Sequence, residues 1–455
     1  MINKNRIFCR EGDGGVSMNR SRWLLFFLLT MVLAACAVAC GSSSSSSASH
    51  PAIDDDATDD DDDASPVDDD DDDDNDNDND NNDDDNDDDN DDDDNDDNDN
   101  DDNDNDDNDD NDTSPADDDT SPVDDDTAPD WSPMTLPATT DAISVNGVWG
   151  SSATNVFAVG ADSTTGLPVI WQYNGTSWSA MTNPTADGGT LHGIWGNSAA
   201  NVFAVGGDAT SGYPAIWHYD GASWSAMANV PANGGYINGV WGSSATDVFA
   251  VGETDLIPPA SMILQYDGSS WSTMTNVTTD LGAIMGVWGS SPANVIAAGY
   301  DYTSSLPVLW QYNGASWSAM TNANGDDGTL NGVWGSSPSN VFAVGNVYDG
   351  ANWVPAIWQY DGASWSAMTN ATADAGWLNG VWGSSASDVF VVGEDNDTGY
   401  PLVWHYDGSL WSAMTIAPTA ATVMLTGGWG GSATGAFVVG QDQATSYGVI
   451  LSFGR

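Results

Sequence analysis

The chain has 455 residues, with 70 Asp and Glu against 6 Lys and Arg, and a formal net charge of -64. Most of the acids lie between residues 51 and 130, whereas residues 131–455 contain no Lys and a single Arg, Arg455. Nucleic-acid binding is therefore excluded, because nothing in this part of the chain could neutralise phosphates. A disulfide scaffold is excluded as well, because all 3 cysteines lie within the first 40 residues.

Residues 18–40 have the order of a secretory signal, in which two arginines precede a short apolar run and small residues lead to a cysteine. The apolar run is shorter than the roughly 20 residues of a membrane span. Its end, Leu33 to Cys36, resembles a bacterial lipobox, whose cysteine is lipidated after cleavage. Cys40 is a rival lipidation site, and a plain secreted protein is the remaining alternative. We therefore expect translation to start at Met18 and residues 1–40 to direct the protein to the cell envelope.

A polar linker follows, with a Ser-rich segment at 41–53 and an Asp- and Asn-rich segment at 54–130. Such a composition offers no apolar groups for a core, and its like charges repel one another. Residues 41–130 are therefore predicted to be a disordered spacer. Ordered calcium loops are not expected in it, because they need a Gly turn and the segment from Asp54 to Asp130 contains no Gly.

Residues 131–455 consist of seven copies of one unit, each marked by a Gly-x-Trp-Gly motif. The motif recurs every 46 to 48 residues, with its tryptophan at Trp149, Trp195, Trp241, Trp288, Trp334, Trp382 and Trp429. Each unit has four short runs rich in β-branched and aromatic residues, separated by Gly, Asn, Asp and Ser, which are strand signals. A period near 47 residues with four strands per unit indicates a β-propeller.

The third and fourth runs of a unit are joined by Asp-Gly or Asn-Gly, which favours a tight antiparallel hairpin. The seventh unit ends at Phe453 without the Trp-Ser strand that ends the other units, and Trp131-Ser132 supplies that motif at the start of the body. The fold predicted for residues 131–455 is therefore all-β, a seven-bladed propeller of four-stranded blades whose last blade is closed by the N-terminal strand. We expect a monomer.

The segment Trp-Gly-Ser-Ser-Ala-Ser-Asp-Val-Phe at 382–390, with Tyr406-Asp407-Gly408 and Trp411-Ser412, resembles the repeats of secreted bacterial β-propeller lipoproteins. These belong loosely with propellers of the kelch and galactose-oxidase central-domain type. The resemblance covers residues 131–455 and implies the fold, but it implies no reaction. The Gly-Gly doublet of kelch repeats is not regular here, and the Asp-box pattern of sialidases is missing.

The repeats provide a control for candidate catalytic residues. A residue type that most of the seven units share at an equivalent position is architectural, whereas a residue found in one unit is a functional candidate. His218 and His405 stand where other units have Gln, and His192 stands where others have Asn. The body has no Cys or Lys for nucleophilic catalysis and no His cluster for a transition metal. We therefore predict no catalytic site and no obligatory cofactor. A divergent glycan hydrolase using paired carboxylates is the less favoured alternative.

Variable segments should emerge on one face of the ring, formed by the loops between second and third strands and by the blade-to-blade connections. Of the 22 acids in the body, 16 lie on this face, and Trp353 and Trp377 are the two tryptophans outside the repeated positions, both predicted in connections. The candidate binding rim consists of Asp162, Asp208, Asp301, Asp395, Asp442, Tyr300, Tyr348, Trp353 and Trp377. The aspartates either start loops by bonding nearby backbone N–H groups or form an acidic rim that coordinates calcium or attracts basic partners.

These features predict a non-enzymatic, lipid-anchored protein of the cell envelope, displayed on the outer membrane, that binds an extracellular protein or glycan through its variable face. Aromatic rings beside carboxylates suit both kinds of ligand. A structural scaffold without a specific ligand is the alternative. Contact with the membrane is expected through the lipid anchor alone.

Overall fold

The computed structural model describes residues 130–137, 142–185, 187–228, 230–231, 234–274, 282–323, 325–370, 376–417, 422–431 and 435–454. They belong to one compact unit, Pro122–Arg455. The predicted signal region with Cys36 and Cys40, and the predicted linker, lie outside the described residues. Among the residues described, no helix is long and apolar enough to cross a membrane.

The described residues form seven four-stranded antiparallel sheets. The strands are β1 (Trp131–Pro133), β2 (Ile143–Ser152), β3 (Asn155–Asp162), β4 (Leu167–Tyr173), β5 (Trp178–Ala180), β6 (Gly189–Ser198), β7 (Asn201–Asp208), β8 (Tyr213–Tyr219), β9 (Trp224–Ala226), β10 (Tyr236–Ser244), β11 (Asp247–Glu253), β12 (Ser261–Tyr266), β13 (Trp271–Thr273), β14 (Gly282–Ser291), β15 (Asn294–Asp301), β16 (Pro307–Tyr312), β17 (Trp317–Ala319), β18 (Gly328–Ser337), β19 (Asn340–Tyr348), β20 (Trp353–Tyr360), β21 (Trp365–Ala367), β22 (Gly376–Ser385), β23 (Asp388–Asp395), β24 (Pro401–Tyr406), β25 (Trp411–Ala413), β26 (Val423–Gly431), β27 (Gly435–Asp442) and β28 (Gly448–Phe453).

Each of blades 1 to 6 contains four consecutive strands, beginning with β2–β5 as blade 1 and ending with β22–β25 as blade 6. Blade 7 has the order β26-β27-β28-β1, so the N-terminal strand is its outer strand. The first strands of neighbouring blades contact one another all the way round, and β26 contacts β2. The structure is therefore a closed seven-bladed β-propeller, as the sequence predicts.

The N-terminal strand closes the ring through a buried side chain and backbone bonds to two blades. Trp131 is 0% exposed and pairs with Phe453 of β28. Its backbone N–H donates to the Thr415 carbonyl of blade 6 at 3.1 Å, and its own carbonyl accepts from the Ala417 N–H at 2.8 Å. The outer strand of blade 7 thus joins the two ends of the body.

The core lies between adjacent blades, because both faces of each sheet are covered by neighbours. The phenylalanine of the second strand is at most 1% exposed in six blades, and Ile296 replaces it in blade 4. Outer-strand tryptophans add a second layer, in which the indole N–H of one blade donates to the methionine sulfur of the preceding blade. This contact joins Trp131 to Met414, Trp224 to Met181, Trp271 to Met227 and Trp317 to Met274, at 3.2 to 3.5 Å.

The repeated Trp-Gly motif forms an inner ring of contacts between blades. The ring of Trp195 in blade 2 lies so close to Gly242 in blade 3 that an added Cβ would come within 2.6 Å of it. The same contact joins Trp149 to Gly196, Trp241 to Gly289, Trp288 to Gly335, Trp334 to Gly383 and Trp429 to Gly150. In blade 7 the glycine that contacts the neighbouring indole, that of Trp382, is Gly428. This glycine precedes Trp429 of its own motif, whereas the contacting glycine of the other blades follows the tryptophan. The glycine of the motif is therefore required by the neighbour's indole.

We expect Gly242→Ala to lower the free energy of unfolding by about 1–3 kcal/mol, because overpacking would displace the Trp195 ring. Gly325→Ala is the matched control, since an added Cβ there would meet no atom within 4 Å. Denaturant unfolding of both variants followed by fluorescence measures the difference. Equal stability of the two variants would show that the indole can move aside without cost.

Candidate binding face

The two faces of the ring differ in how much they vary. On the uniform face, the Gly of each Asp-Gly or Asn-Gly turn has a positive φ, between 90° and 97°, at Gly175, Gly221, Gly268, Gly314, Gly362 and Gly408. The variable face holds the loops from second to third strands and the blade-to-blade connections. Eight large apolar or aromatic side chains are exposed among the described residues, and all except Leu410 lie on the variable face. They include Tyr213, Tyr236, Tyr348, Tyr400 and Tyr447.

Variation is concentrated in one layer of cross-strand pairs where the first and second strands end at this face. These pairs, here called the mouth pairs, are Ser144/Ala161, Thr190/Gly207, Tyr236/Glu253, Ala283/Tyr300, Thr329/Asn346, Trp377/Glu394 and Met424/Gln441. No two pairs are the same. Deeper in the same strands, tryptophan faces phenylalanine in every blade except blade 4, where it faces Ile296. The scaffold is therefore constant and the mouth pairs differ.

The pair in blade 3 forms a hydrogen-bonded cluster with two residues of blade 4, and the buried member of this cluster is Glu253. Glu253 is 6% exposed, and its carboxylate accepts bonds from the Tyr236 hydroxyl at 2.5 Å and the Tyr302 hydroxyl at 2.7 Å. The rings of Tyr300 and Tyr302 pack edge to face with centroids 4.7 Å apart. Burial raises the pKa of Tyr300 to about 12, and burial together with Glu253 raises the pKa of Tyr236. The pKa of Tyr302 is raised by burial, by Tyr300 and by Glu253. The Tyr236 and Tyr302 hydroxyls therefore remain protonated and donate to the Glu253 carboxylate.

Blade 6 repeats this arrangement with different chemistry. Glu394 is 6% exposed and accepts a bond at 2.5 Å from the side-chain amide of Gln443, which occupies in blade 7 the position of Tyr302 in blade 4. Burial raises the pKa of Glu394, and the bond from Gln443 offsets part of that rise. In both places a buried glutamate of one blade is bound by a neutral donor of the next blade.

The predicted rim aspartates end the second strands of blades 1, 2, 4, 6 and 7. Each accepts a backbone N–H from two residues further on, at 2.7 to 2.8 Å, as at Asp301 with Thr303 and Asp395 with Asp397. Asp162 and Asp442 are only 8% and 7% exposed. Within the described ranges, no group of three His, Cys, Asp or Glu could hold a metal. Each of these five aspartates therefore starts the loop of its own blade by accepting backbone hydrogen bonds.

For Asp162 and Asp208, partial burial acts to raise the carboxyl pKa, but the loop hydrogen bonds outweigh it and lower the pKa. The donors to Asp208 are Thr210 and Ser211, and Ser211 donates through its hydroxyl as well as its backbone. These carboxylates therefore stay ionised at neutral pH and keep the face acidic.

The structure brings the predicted residues Tyr348, Trp353 and Trp377 together between blades 5 and 6. The Tyr348 and Trp353 rings are 5.6 Å apart, and the Trp353 and Trp377 rings are 6.2 Å apart. Their predicted placement in connections is wrong: Trp353 begins β20 and Trp377 is the second residue of β22. The strands extend further toward this face than the motifs indicate, because cross-strand pairing continues to Tyr348/Trp353 and Trp377/Glu394.

The three histidines make the same bonds as the residues that they replace. His192 contacts the Ile237 carbonyl of the next blade at 3.1 Å, as Asn146 contacts Leu191 at 2.8 Å, and burial lowers its pKa. His218 bonds to Asn201, and His405 to Asp388, in place of the glutamine bond that Gln172 makes to Asn155. Each is therefore accounted for by the architecture.

The candidate residues predicted from the sequence do not include Glu253 and Glu394, although these are the buried glutamates of this face, each 6% exposed. A signal for them is present in the sequence, because the residue after the repeated Gly of the second strand varies between units, being Ala161, Gly207, Glu253, Tyr300, Asn346, Glu394 or Gln441. Glu253 and Glu394 are the acids at that position.

No family model matches the sequence, and no curated protein matches it. The fold is similar to that of YCF48 bound to D1 peptide, with a TM-score of 0.53 and 13% identity over 72% of this chain and 96% of that chain. It is also similar to YCF48 from Cyanidioschyzon merolae, with a TM-score of 0.51 and 13% identity over 72% and 99% of the two chains. A fucose-specific lectin from Aleuria aurantia has a TM-score of 0.41 and 13% identity over 61% and 97%. At these identities the likeness is one of fold.

The raised pKa of Glu394 predicts a pH-dependent stability. The folded state binds the proton more readily than the unfolded state, so the contribution of this group is fully present below about pH 4 and is lost as pH rises through the folded pKa. Glu394→Gln removes this loss. The stability of the variant relative to the wild type should therefore increase between pH 4 and pH 7, measured by urea unfolding at several pH values.

Asp208→Asn is the control of opposite sign. The lowered pKa of Asp208 gives the wild type stability that is present above about pH 4 and lost as pH falls, so this variant should become relatively less stable as pH rises. If the relative stability of either variant is unchanged with pH or changes in the opposite direction, the pKa assignment of that residue is wrong.

Proposed function

We propose that this protein is a non-enzymatic binding module of the cell envelope whose variable face recognises an extracellular protein or glycan. The observation that carries the proposal is the confinement of variation to the mouth pairs and to the exposed aromatic residues around them. A rigid repeated scaffold with one variable surface is the usual arrangement of a recognition protein. Tyrosine and tryptophan, which are enriched at interaction hot spots, dominate this surface.

The two candidate ligand classes both fit the surface. Aromatic rings such as those of Tyr348, Trp353 and Trp377 cover apolar C–H patches of sugars or anchor protein side chains. Neighbouring carboxylates accept hydrogen bonds from sugar hydroxyls or from peptide donors. The neighbour YCF48 bound to D1 peptide offers an example of a propeller with a peptide ligand.

Binding is favoured over catalysis because each histidine makes an architectural bond and each rim aspartate serves its own loop. A scaffold without a specific ligand remains the competing function, and a scaffold gives no reason for exposed tyrosines to gather on one face. A divergent hydrolase would need two carboxylates facing one substrate, and Glu253 and Glu394 are each bound by neighbouring side chains.

Glycan arrays and envelope-protein pull-downs with the full chain, with and without calcium chelation, test the binding face. We expect Trp353→Ala and Tyr400→Ala to reduce capture at least tenfold. Leu410→Ala is the control, because this large side chain is 57% exposed on the opposite face. An equal loss with all three variants, or no capture by the wild type, would support the scaffold instead.

The anchor is a second part of the proposal, supported by the lipobox-like sequence ending at Cys36 and by Cys40. We expect a fatty-acid analogue to label the protein and the labelled protein to fractionate with the outer membrane. Labelling should persist in one single Cys→Ser variant and disappear in the double variant. An unlabelled wild type would refute the lipoprotein assignment and leave the binding face unaffected.

A further inference from the structure

A small cavity opens on the variable face between blades 1 and 2. Its volume is about 180 Å³, and its apolar walls include Pro168, Pro214, Ala215 and Trp217. Thr185, Asp187 and Asp208 line it as well. The volume is below the roughly 300–1,000 Å³ of pockets for drug-sized ligands. A single long side chain is therefore a better match for it than an oligosaccharide.

The cavity follows from a small residue at one repeated position. The repeated glycine of each second strand, one residue before the mouth pair, faces Val169, Ala215, Met262, Val308, Ala356, Leu402 or Val449. Only two blades have Ala there. Ala356 is buried at 5% exposure in a cluster with Val354 and Ala323, whereas Ala215 remains partly accessible and lines the cavity. Blade 2 alone combines the small residue with an open space.

Two aspartates line the cavity, and an exposed tyrosine lies beside one of them. Asp187 is exposed, and Asp208 is the cross-strand partner of Tyr213, whose side chain is 46% exposed. The Asp208 carboxylate is oriented by Thr210 and Ser211, with the Ser211 hydroxyl bonded at 2.8 Å. A carboxylate has room for about four donors, and the backbone and side chains of Thr210 and Ser211 occupy these places on Asp208. Asp208 therefore contributes its negative charge, and the exposed Asp187 is the carboxylate that can accept bonds from a ligand.

The described residues contain no Lys or Arg, and the six in the chain lie at or before residue 22 or at Arg455. The carboxylates at this cavity therefore have no such partner within the described part of the body. Lys and Arg side chains pack an apolar stem against a surface while the charged end stays at its rim. An arginine also bonds carboxylates in a two-pronged geometry and stacks on aromatic rings. These properties match the walls and the rim of the cavity.

We propose that the cavity between blades 1 and 2 is a socket for an Arg or Lys side chain of a basic polypeptide partner. The stem lies between Pro168, Pro214 and Ala215, and the charged end lies between Asp187, Asp208 and Tyr213. The proposal rests on the binding role of the variable face and chooses protein over glycan for this part of it. The acidic face as a whole would attract such a partner.

The test follows a single site, so that weak attraction of the probe to acids elsewhere does not affect the result. The full chain is labelled at its alanine methyl groups and titrated at low salt with N-acetyl-arginine amide or N-acetyl-lysine amide. The Ala215 and Ala226 methyl signals, both from residues that line the cavity, report occupancy by NMR. N-acetyl-citrulline amide is the uncharged analogue, and methyl glucoside represents a glycan.

We expect saturable shifts with the two cations, at least tenfold weaker binding of citrulline, and no binding of the glucoside. Asp187→Asn should weaken arginine binding at least fivefold. Asp326→Asn is the control, because Asp326 lies two residues before the first strand of its blade, as Asp187 does. This variant should change arginine binding by less than twofold. Ala215→Leu should abolish the Ala226 shift by filling the cavity, and Leu402 shows that blade 6 accommodates leucine at the equivalent position.

Equal binding of citrulline and arginine, or an unchanged titration in Ala215→Leu, would overturn the socket. Glucoside binding that is lost in Ala215→Leu would assign the cavity to a glycan instead. If the cavity does not bind the cations but Trp353→Ala and Tyr400→Ala still reduce capture, the binding role of the variable face is retained and only the cationic ligand is ruled out. A folded-state spectrum of each variant confirms that the losses are local.

Discussion

The contact between a tryptophan of one blade and a glycine of the next holds the propeller together. The indole occupies the space that a Cβ would need, so the two residues must change together in neighbouring units. This contact fixes the distance between first strands and joins blade 7 to blade 1 through Trp429 and Gly150. The space between adjacent blades widens away from the axis of the ring. Outside the Trp–Gly contact, this space is filled by the second-strand phenylalanines and by the outer Trp–Met contacts. Closure by Trp131 then completes the last wedge.

This packing explains why variation is possible at only one end of each sheet. Deeper positions are fixed by neighbours on both sides, and the turns of the uniform face are fixed by their positive-φ glycines. The mouth pairs lie one residue beyond the repeated glycine of the second strand, where the indole ring no longer limits side-chain size. Large residues such as Tyr236 and Trp377 and small ones such as Gly207 are therefore tolerated there. The residues that contact a ligand can therefore vary without lowering the stability of the core.

The fold could be predicted from the sequence because its determinants are local and repeated. The Trp-Gly spacing, the Asp-Gly turns and the missing last strand each recur or stand out within a single unit. The site could be predicted only in part. The variable face and the individual aromatic residues follow from the repeat, but the contacts of Glu253 depend on Tyr236 across the sheet and Tyr302 in the next blade. Such contacts need the strand register and the angle between blades, which no motif encodes.

The distribution of charge carries a further consequence. A body without lysine in its sequence and with its one arginine at the C-terminus cannot neutralise its acids by ion pairs of that kind. The structure stabilises carboxylates instead with neutral donors: loop amides at the aspartates, tyrosine hydroxyls at Glu253 and a glutamine amide at Glu394. Neutral donors keep these groups in place without cancelling their charge. The face therefore retains its negative potential for a partner, and a cationic side chain from outside meets no competing cation among the described residues.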